Sequence, residues 1–383
     1  MESLPVDPGG IQIMAPKGEF CILKTDPISA PAANILKQQM LSVGGECAVS
    51  RGASTCEIDT APAILSGTKK QFLKLAESLE YQIFGLNRLS TEIRYFFADD
   101  FSITEMRIGG RHFDFKKKTA VMGVLNVTPD SFYDGGKHVQ VTGAVKAALQ
   151  METDGADIID IGGESTRPGA EPVDEKTELN RIIPVITGLR QKSNIPISID
   201  TYKSAVAEKA LEAGADMVND ISGLTFDPQL AEVIASHNAA ACLMHIRGTP
   251  RNMQENPHYD NLIDEILNYL DAAVGRAVKA GLSRDQIIID PGIGFGKTVA
   301  DNYTILRYLK EFESLGQPIL VGLSRKSLIG KLLDLPVDQR LPGSLAGLAV
   351  AINNGAAVIR VHDVRESRQA AAIADAIVGK QQI

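Results

Sequence analysis

Beyond residue 105, short apolar runs rich in Val and Ile alternate with longer amphipathic stretches, and the runs recur roughly every 25 to 40 residues. Apolar runs without polar alternation are typical of strands that are buried on both faces of a parallel sheet. The sequence therefore predicts eight parallel strands, at Ala120–Leu125, Asp157–Ile161, Ile195–Ile199, Asp216–Val218, Ala240–Met244, Ile287–Ile289, Ile319–Gly322 and Ala357–Val361.

Helical patterns separate these runs, for example Ser204–Asp216 and Asn261–Gly281, and each ends near a glycine that can cap a helix. Eight βα units over about 265 residues favour a closed (β/α)8 barrel, the TIM-barrel fold of the α/β class, over an open doubly wound sheet. Ahead of the first strand, Met106–Phe115 predicts a hairpin with its turn at Gly109–Gly110. We expect this hairpin to plug the bottom of the barrel.

The segment before residue 105 follows a different pattern. Amphipathic helical stretches such as PISAPAANILKQQML are interleaved with short strand-like pieces such as EFCILK and ECAVS. We therefore expect a small α/β domain over residues 1–104 and a catalytic barrel over residues 105–383. No motif indicates what the N-terminal domain does, and a packing or dimer-supporting role and a regulatory or partner-binding role both remain open.

Composition narrows the classes of function. The 383 residues are 44% hydrophobic and 22% charged, which is typical of globular domains. A net charge of −8 argues against a nucleic-acid or anionic-membrane surface, and the absence of Trp argues against a base-stacking platform. We therefore expect small-molecule substrates, and an anionic substrate would have to meet local Lys and Arg side chains.

The four cysteines form no C-x-x-C pair, and the first ten residues lack the basic start and apolar run of a secretory signal. The apolar segment Leu345–Ile359 is interrupted by Asn353 and Asn354, so no membrane span is predicted. We expect a cytoplasmic protein with reduced thiols, in which Cys242 is a small buried apolar residue.

A polar group lies at or just beyond the end of each of the eight predicted strands. Any one of them could be a helix N-cap or a satisfied loop residue, but eight on one rim indicate an active site at the carboxyl ends of the strands. These groups are Asn126, Asp160, Asp200, Asn219–Asp220, His245, Asp290, Ser324–Arg325–Lys326 and Arg360 with His362.

The residue types on this rim suit two chemistries. A flat heterocycle with an amino-oxo-pyrimidine edge presents N–H donors beside a carbonyl, and it can bind carboxylates, an amide and an ammonium. The rim supplies these groups from Asp200, Asn219, Asp290 and Lys326. Arg360 and His362 suit phosphate oxygens, and the amide oxygen of Asn126 suits a Mg²⁺ ion that takes its other ligands from substrate phosphates.

Three glycine-bearing loops lie at this rim, at Asn126–Gly136, Gly162–Ala170 and Asp290–Thr298. The first is equally well explained as an ordinary surface loop. The third is rich in glycine and carries Lys297, but it does not match the G-x-x-x-x-G-K-S/T phosphate loop and is weak evidence for a nucleotide site.

The same segments closely resemble the dihydropteroate synthase family. The matching pieces occur in family order from residue 106 to about 375. They are MGVLNVTPDSFYDGG, IIDIGGESTRPGA, ISIDTYKSAVAEKALEAGADMVNDISG, CLMHIRGTPRNMQ, IIIDPGIGFGKT, LVGLSRKSLIG and GSLAGLAVAINNGAAVIRVHDV.

The resemblance implies a role for each site residue. For the pterin of a pterin diphosphate it implies Asp200, Asn219, Asp290 and Lys326, with Met244 and Arg360 on the ring faces. For the diphosphate it implies Asn126, Arg360 and His362, with Mg²⁺ on Asn126. For p-aminobenzoate it implies Phe132, Thr166, Arg167, Pro168, Phe295 and Ser327. The catalytic group would be Asp134, Asp160, Lys326 and Arg360, and we expect the diphosphate to leave before the arylamine attacks.

The sequence departs from the family pattern in two places and leaves alternatives for the function and the acceptor. Ile246 stands where the family commonly has Met, and the N-terminal domain matches only a longer-chain subgroup. The alternatives are a related methyltransferase that takes a methyl group from methyltetrahydrofolate, which shares the pterin-binding Asp and Asn, and a catalytically silent scaffold barrel. The acceptor could be a modified arylamine, and the family implies a homodimer, which we expect to form near Gly343–Ile352.

Overall fold

A computed structural model describes residues 7–98, 101–127, 136–165 and 169–380, with the backbone alone given for 136–140. The chain divides into two compact units, Met1–Phe101 and Ser102–Ile383. Within the described residues, no helix combines the length and the apolar composition that a bilayer crossing requires.

The N-terminal unit is a small α/β domain, as predicted. Its described elements are α1 (Pro8–Gly18), β1 (Phe20–Lys24), β2 (Ile28–Ser29), α2 (Ala30–Ser42), β3 (Glu46–Val49), α3 (Arg51–Ser54), β4 (Thr60–Ala61), β5 (Ala63–Thr68), α4 (Lys69–Leu79) and α5 (Leu86–Phe96). An antiparallel sheet of order β1-β5-β3 buries Leu65 of its central strand against Leu36 of α2 and Phe72 of α4. The capping box of Thr68 and Gln71 begins α4.

In the C-terminal unit, eight parallel strands of the described chain close into a barrel, which confirms the predicted fold. They are β8 (Ala120–Asn126), β9 (Ile158–Gly162), β10 (Ile197–Asp200), β11 (Met217–Asp220), β12 (Ala240–Met244), β13 (Ile287–Asp290), β14 (Ile319–Val321) and β15 (Ala356–Val361). Each apolar run forms a strand because both of its faces are buried, one by the barrel interior and the other by the helices.

The helices of this unit are α6 (Gly136–Thr153), α7 (Glu175–Arg190), α8 (Ser204–Glu212), α9 (Leu230–Ser236), α10 (Leu262–Ala280), α11 (Val299–Arg307), α12 (Ser327–Leu333), α13 (Leu341–Asn353) and α14 (Val364–Ile377). Short 3₁₀ helices span Arg284–Gln286, Leu309–Leu315 and Val337–Gln339. The helix predicted over Ser204–Asp216 ends earlier, at Glu212, because Gly214 adopts a left-handed conformation with φ +109°.

A hairpin closes the bottom of the barrel, as predicted. It consists of β6 (Glu105–Ile108) and β7 (Arg111–Asp114), joined at Gly109–Gly110. Its apolar side chains pack against inward-facing residues of the barrel strands, including Met122 and Met217. The opposite end of the barrel, where the strands end at their carboxyl termini, therefore carries the polar rim.

Candidate active site

Arg360 lies at the centre of a buried polar network at the carboxyl ends of the strands. Its Nε donates to Oδ2 of Asp160 at 2.6 Å, and Nη2 donates to Oδ2 of Asp200 at 2.7 Å. Nδ2 of Asn219 also donates to Oδ2 of Asp160, at 3.2 Å. Four of the predicted site residues, from β9, β10, β11 and β15, are therefore brought together by direct contacts.

Two carboxylate oxygens of this network are left without a hydrogen bond in the described part of the chain. Within the described residues, Oδ1 of Asp160 and Oδ1 of Asp200 are buried and have no hydrogen-bond partner. A buried acceptor left in this state is costly unless a ligand supplies donors. Burial raises the pKa of Asp200 to about 7, although the charge of Arg360 opposes this shift.

A second pair, Asp290 and Lys326, lies on the other side of the mouth. Asp290 accepts from the backbone N–H of Gly292 at 2.7 Å, and burial raises its pKa against the opposing charge of Lys326. Lys326 donates to the carbonyl of Ile293, and its Nζ lies 4.8 Å from the centre of the Phe295 ring. Burial lowers the pKa of Lys326 to about 8, and Asp290 opposes this shift.

An apolar wall adjoins these polar groups. Met244 at the end of β12 packs with Ile221, Ile246 and Met253, and Phe295 lies against the same cluster. A flat ring that enters the mouth can thus contact a sulfur-containing side chain on one side while its edge meets carboxylates. Ile246, the departure from the family pattern, keeps this wall apolar.

The loops after β14 and β15 are joined by an ion pair. The guanidinium of Arg325 donates to both carboxylate oxygens of Asp363, with Nε at 2.9 Å from Oδ2. Arg325 has φ +56°, which is unfavourable for a residue with a side chain, and the hydroxyl of Ser344 accepts from its N–H at 2.9 Å. The pair therefore fixes the backbone on which Lys326 and His362, the neighbours of these two residues, are placed.

His362 and Asn126 lie at the predicted diphosphate end of the site. Nδ1 of His362 lies 3.2 Å from the hydroxyl of Ser324. Both His362 and Asn126 are partly exposed. A Cβ built on Gly162 would lie 3.8 Å from Oδ1 of Asn126 and 3.8 Å from Oδ2 of Asp200, so these two oxygens border the same space.

The loop after β9 is closed at its base by Lys203. Its Nζ donates to Glu164 at 2.5 Å, to the carbonyl of Val173 at 2.5 Å and to Glu178 at 2.6 Å. The hydroxyl of Tyr202 adds a bond to Glu164 at 3.0 Å. Since Glu164 and Val173 stand at the two ends of one loop, Lys203 fixes both ends against the turn after β10.

Five of the predicted site residues lie outside the described residues. They are Phe132, Asp134, Thr166, Arg167 and Pro168, and their roles stay predictions. Ser327 is described and is the exposed first residue of α12.

Two further members of the predicted rim, Asp220 and His245, bond to groups outside the network. Asp220 turns back to accept from the N–H groups of Ser222 and Leu224, at 2.8 and 2.5 Å, so it stabilises a turn. His245 instead contacts Lys297, with Nδ1 at 2.8 Å from Nζ. Asp220 is therefore a satisfied loop residue, one of the two ordinary explanations that apply to a single rim residue, and it does not cap a helix.

Sequence reasoning missed Lys297, the Arg325–Asp363 pair and Lys203. In the sequence, Lys297 stands only in a poor match to a phosphate loop, and residue spacing does not reveal that its side chain is buried inside the loop. A signal for the ion pair was present, because Arg325 and Asp363 each lie beside a predicted site residue.

The sequence of this chain is similar to those of known pterin-binding enzymes. The model of the pterin binding enzyme family matches residues 122–362. A dihydropteroate synthase of Synechocystis is 51% identical over 279 residues, which cover 73% of this chain and 96% of that protein. The chain belongs to the dihydropteroate synthase family. It is therefore a transferase, and the synthase is favoured over the corrinoid-dependent methyltransferase.

The fold of this chain is similar to that of a solved dihydropteroate synthase structure. The dihydropteroate synthase of Xanthomonas albilineans with 4-aminobenzoic acid superposes with a TM-score of 0.67 at 40% identity, over 72% of this chain and 98% of that chain. Since nearly all of that chain is matched, the barrel of this protein corresponds to a whole synthase.

The N-terminal domain has a counterpart in a longer relative. A probable bifunctional folylpolyglutamate synthase/dihydropteroate synthase of Halobacterium salinarum is 40% identical over 376 residues, which cover 98% of this chain and 45% of that protein. The match includes the N-terminal domain, which confirms that this chain is a long form of the family.

Proposed function

We propose that the barrel mouth joins 6-hydroxymethyl-7,8-dihydropterin diphosphate to p-aminobenzoate, giving 7,8-dihydropteroate and diphosphate. The observation that carries this proposal is the pair of buried carboxylate oxygens without partners, on Asp160 and Asp200, beside Asn219 and Arg360. A pterin edge presents N–H donors together with a carbonyl, so it can satisfy the carboxylates and accept from the amide or the guanidinium.

The pterin would lie between Asp200 and Asn219 on one side and Asp290 and Lys326 on the other. Ionised carboxylates accept the N–H groups of the ring, and the Lys326 ammonium donates to its carbonyl or ring nitrogens. The side chain of Met244 and the guanidinium of Arg360 contact the two ring faces in this arrangement. Burial of these groups strengthens each bond, since the local dielectric constant is low.

The diphosphate would be held by Asn126, Arg360 and His362. Within the described residues, no group of three or more His, Cys, Asp or Glu side chains could hold a metal ion by itself. This donor set fits Mg²⁺ that takes one amide oxygen from Asn126 and its other ligands from phosphate oxygens and water. When bound, Mg²⁺ supplies positive charge that stabilises the leaving diphosphate.

In the proposed reaction, the bond between the pterin's methylene carbon and the diphosphate oxygen breaks, and the diphosphate leaves with the electron pair. The guanidinium of Arg360 and an N–H of His362 stabilise the charge that develops on it. The carboxylate of Asp160, and that of Asp134, would stabilise the positive charge on the conjugated methylene group. The neutral arylamine nitrogen then forms the new C–N bond and releases its proton to solvent.

The arylamine would lie against Phe295, with its carboxylate toward Ser327. The hydroxyl and backbone N–H groups at the beginning of α12 suit a carboxylate, and the Lys326 ammonium above Phe295 adds a positive charge. The predicted contributions of Phe132, Thr166, Arg167 and Pro168 belong to the same pocket.

We also infer that two copies pair through the helices late in the barrel. On α13 and α14, which pack against each other, Val350, Ile373 and Ile377 are exposed by 49%, 66% and 76%. Exposed apolar side chains on adjacent helices are typical of an interface. Ile373→Glu with Ile377→Glu should convert a dimer to a monomer in sedimentation equilibrium.

Isothermal titration with p-aminobenzoate tests the proposed function. Binding should require both Mg²⁺ and diphosphate, and the Asn126→Ala variant should lose this binding. Methyltetrahydrofolate binding without p-aminobenzoate binding would instead support the methyltransferase. Turnover with aniline in place of p-aminobenzoate at equal efficiency would show that the acceptor is not selected by its carboxylate.

A further inference from the structure

Lys297 is a buried lysine in the loop between β13 and α11, and the reaction proposed above does not use it. Its side chain is only 2% exposed. Nζ bonds to Nδ1 of His245 at 2.8 Å, to the carbonyl of Phe295 at 2.9 Å and to the carbonyl of His245 at 3.4 Å. Buried lysines are ordinarily paired with carboxylates, whereas the described partners here are neutral.

The partner His245 is held as a neutral acceptor. Burial, together with the nearby charge of Lys297, lowers the pKa of His245 to about 2. The ring of Tyr269 packs edge-on against the imidazole, with 4.7 Å between the ring centres. Nδ1 can therefore accept from Lys297, and Nε2 carries the imidazole proton in the tautomer that this bond implies.

The loop wraps closely around this lysine. Gly292, Gly294 and Gly296 have φ values of +72°, +87° and +63°, so the backbone turns back on itself at each of them. A Cβ on Gly292 would lie 1.9 Å from the carbonyl oxygen of His245 and 3.2 Å from Nζ of Lys297. The side chain of Lys297 thus returns beneath its own loop and joins it to the end of β12.

Two lysines bond to neighbouring carbonyls of this loop. Lys326 bonds to the carbonyl of Ile293, while Lys297 bonds to that of Phe295. A Cβ on Gly294 would lie 3.2 Å from Cδ of Lys326, so the glycine leaves room for that side chain. The Phe295 ring is thereby placed 4.8 Å from Nζ of Lys326.

We propose that Lys297, together with His245, is a positioning residue for the arylamine site, because its amine holds the loop that presents the Phe295 ring beneath Lys326. The proposal rests on the function proposed above, in which Phe295 lines the p-aminobenzoate pocket. Lys297 does not touch substrate, and it acts through the backbone of Phe295. Its loss should therefore affect the arylamine more strongly than the pterin.

Steady-state kinetics of Lys297→Met and Lys297→Gln test this role. Met keeps the length of the side chain but donates no hydrogen bonds, so the KM for p-aminobenzoate should rise at least tenfold, while the KM for the pterin diphosphate should change less than twofold. Gln retains two N–H donors and should recover most of the loss. Lys310→Met, at an exposed lysine, is the matched control.

Hydrogen–deuterium exchange of residues 290–297 supplies a readout that does not depend on turnover. The Met variant should exchange faster in this loop and no faster in β12. Unchanged exchange, or equal increases in both KM values without recovery by Gln, would overturn the positioning role. A wild-type enzyme without turnover on p-aminobenzoate would overturn the proposed function, whereas the exchange experiment would still decide the role of Lys297 in the loop.

Discussion

Arg360 reaches across β8 to bond Asp160. The two residues lie on β15 and β9, which flank β8 in the barrel, and Nε of Arg360 lies 2.6 Å from Oδ2 of a carboxylate that is 0% exposed. Burial of this ion pair is favourable only because Asn219 and Asp200 bond to the same groups. The arrangement fixes the guanidinium plane and leaves Oδ1 of Asp160 without a hydrogen-bond partner among the described residues.

Asp160→Asn should therefore lower kcat/KM by about 100-fold, which corresponds to about 2.7 kcal/mol. The amide keeps the shape of the side chain but removes the negative charge that orients Arg360 and stabilises the methylene cation. Initial rates at substrate concentrations from well below KM to saturation measure the effect. Asp271→Asn, at an exposed aspartate on α10, controls for the overall loss of one negative charge. A change of less than threefold for Asp160→Asn would contradict this role.

The pH dependence of pterin use should be bell-shaped. The pKa of Asp200 is raised to about 7, so its carboxylate is lost as the pH falls below that value. The pKa of Lys326 is lowered to about 8, so its ammonium is lost as the pH rises above that value. Since the proposed site needs both charges, kcat/KM for the pterin diphosphate should be highest between these two values.

Lys326→Arg should move the alkaline limb of this profile to higher pH, because a guanidinium stays protonated. Fluorescence titration of the unphosphorylated pterin over the same range separates these groups from the ionisation of the diphosphate. A flat profile from pH 6 to pH 9 in both assays would rule out the assignment.

Asp363→Asn should destabilise the loop that carries Lys326, because it removes the ion pair between Asp363 and Arg325. The side chain of Arg325 is 41% exposed, so the loss in stability should be only about 1 kcal/mol. The KM for the pterin diphosphate should nevertheless increase about threefold to tenfold, because Lys326 and His362 are displaced together. Thermal unfolding and kinetics measure the two effects, and a loss of stability with unchanged KM would limit the pair to a structural role.

Residues 102–383 should retain synthase activity when expressed alone. The match with the Synechocystis synthase spans 96% of that protein but only 73% of this chain, so nearly the whole of that relative corresponds to about three quarters of this chain. We expect kcat/KM within threefold of the full chain, with circular dichroism as the check on folding. A folded fragment with more than tenfold lower activity would show that the N-terminal domain supports catalysis.

The local pattern of the sequence was enough to determine the barrel. Apolar runs such as Ile287–Ile289 form strands because burial on both faces requires them to be apolar throughout. The turn at Gly109–Gly110 predicts the hairpin at Met106–Phe115, and its apolar side chains pack against the interior of the barrel. The rim of polar residues follows as well, because the carboxyl ends of parallel strands share one edge.

Only the tertiary structure decided which of those polar groups meet. Arg360 and Asp160 are 200 residues apart, and no local spacing encodes their contact. Asp220 is the last residue of its strand, as Asp200 is of its own. Nearby backbone N–H groups bind the carboxylate of Asp220, which therefore takes no part in the network around Arg360. Lys297 ends inside its loop because three glycines allow the backbone to close around it. Periodicity determines which way a strand residue faces, whereas the partner of a polar side chain depends on competition among groups that only the folded chain brings together.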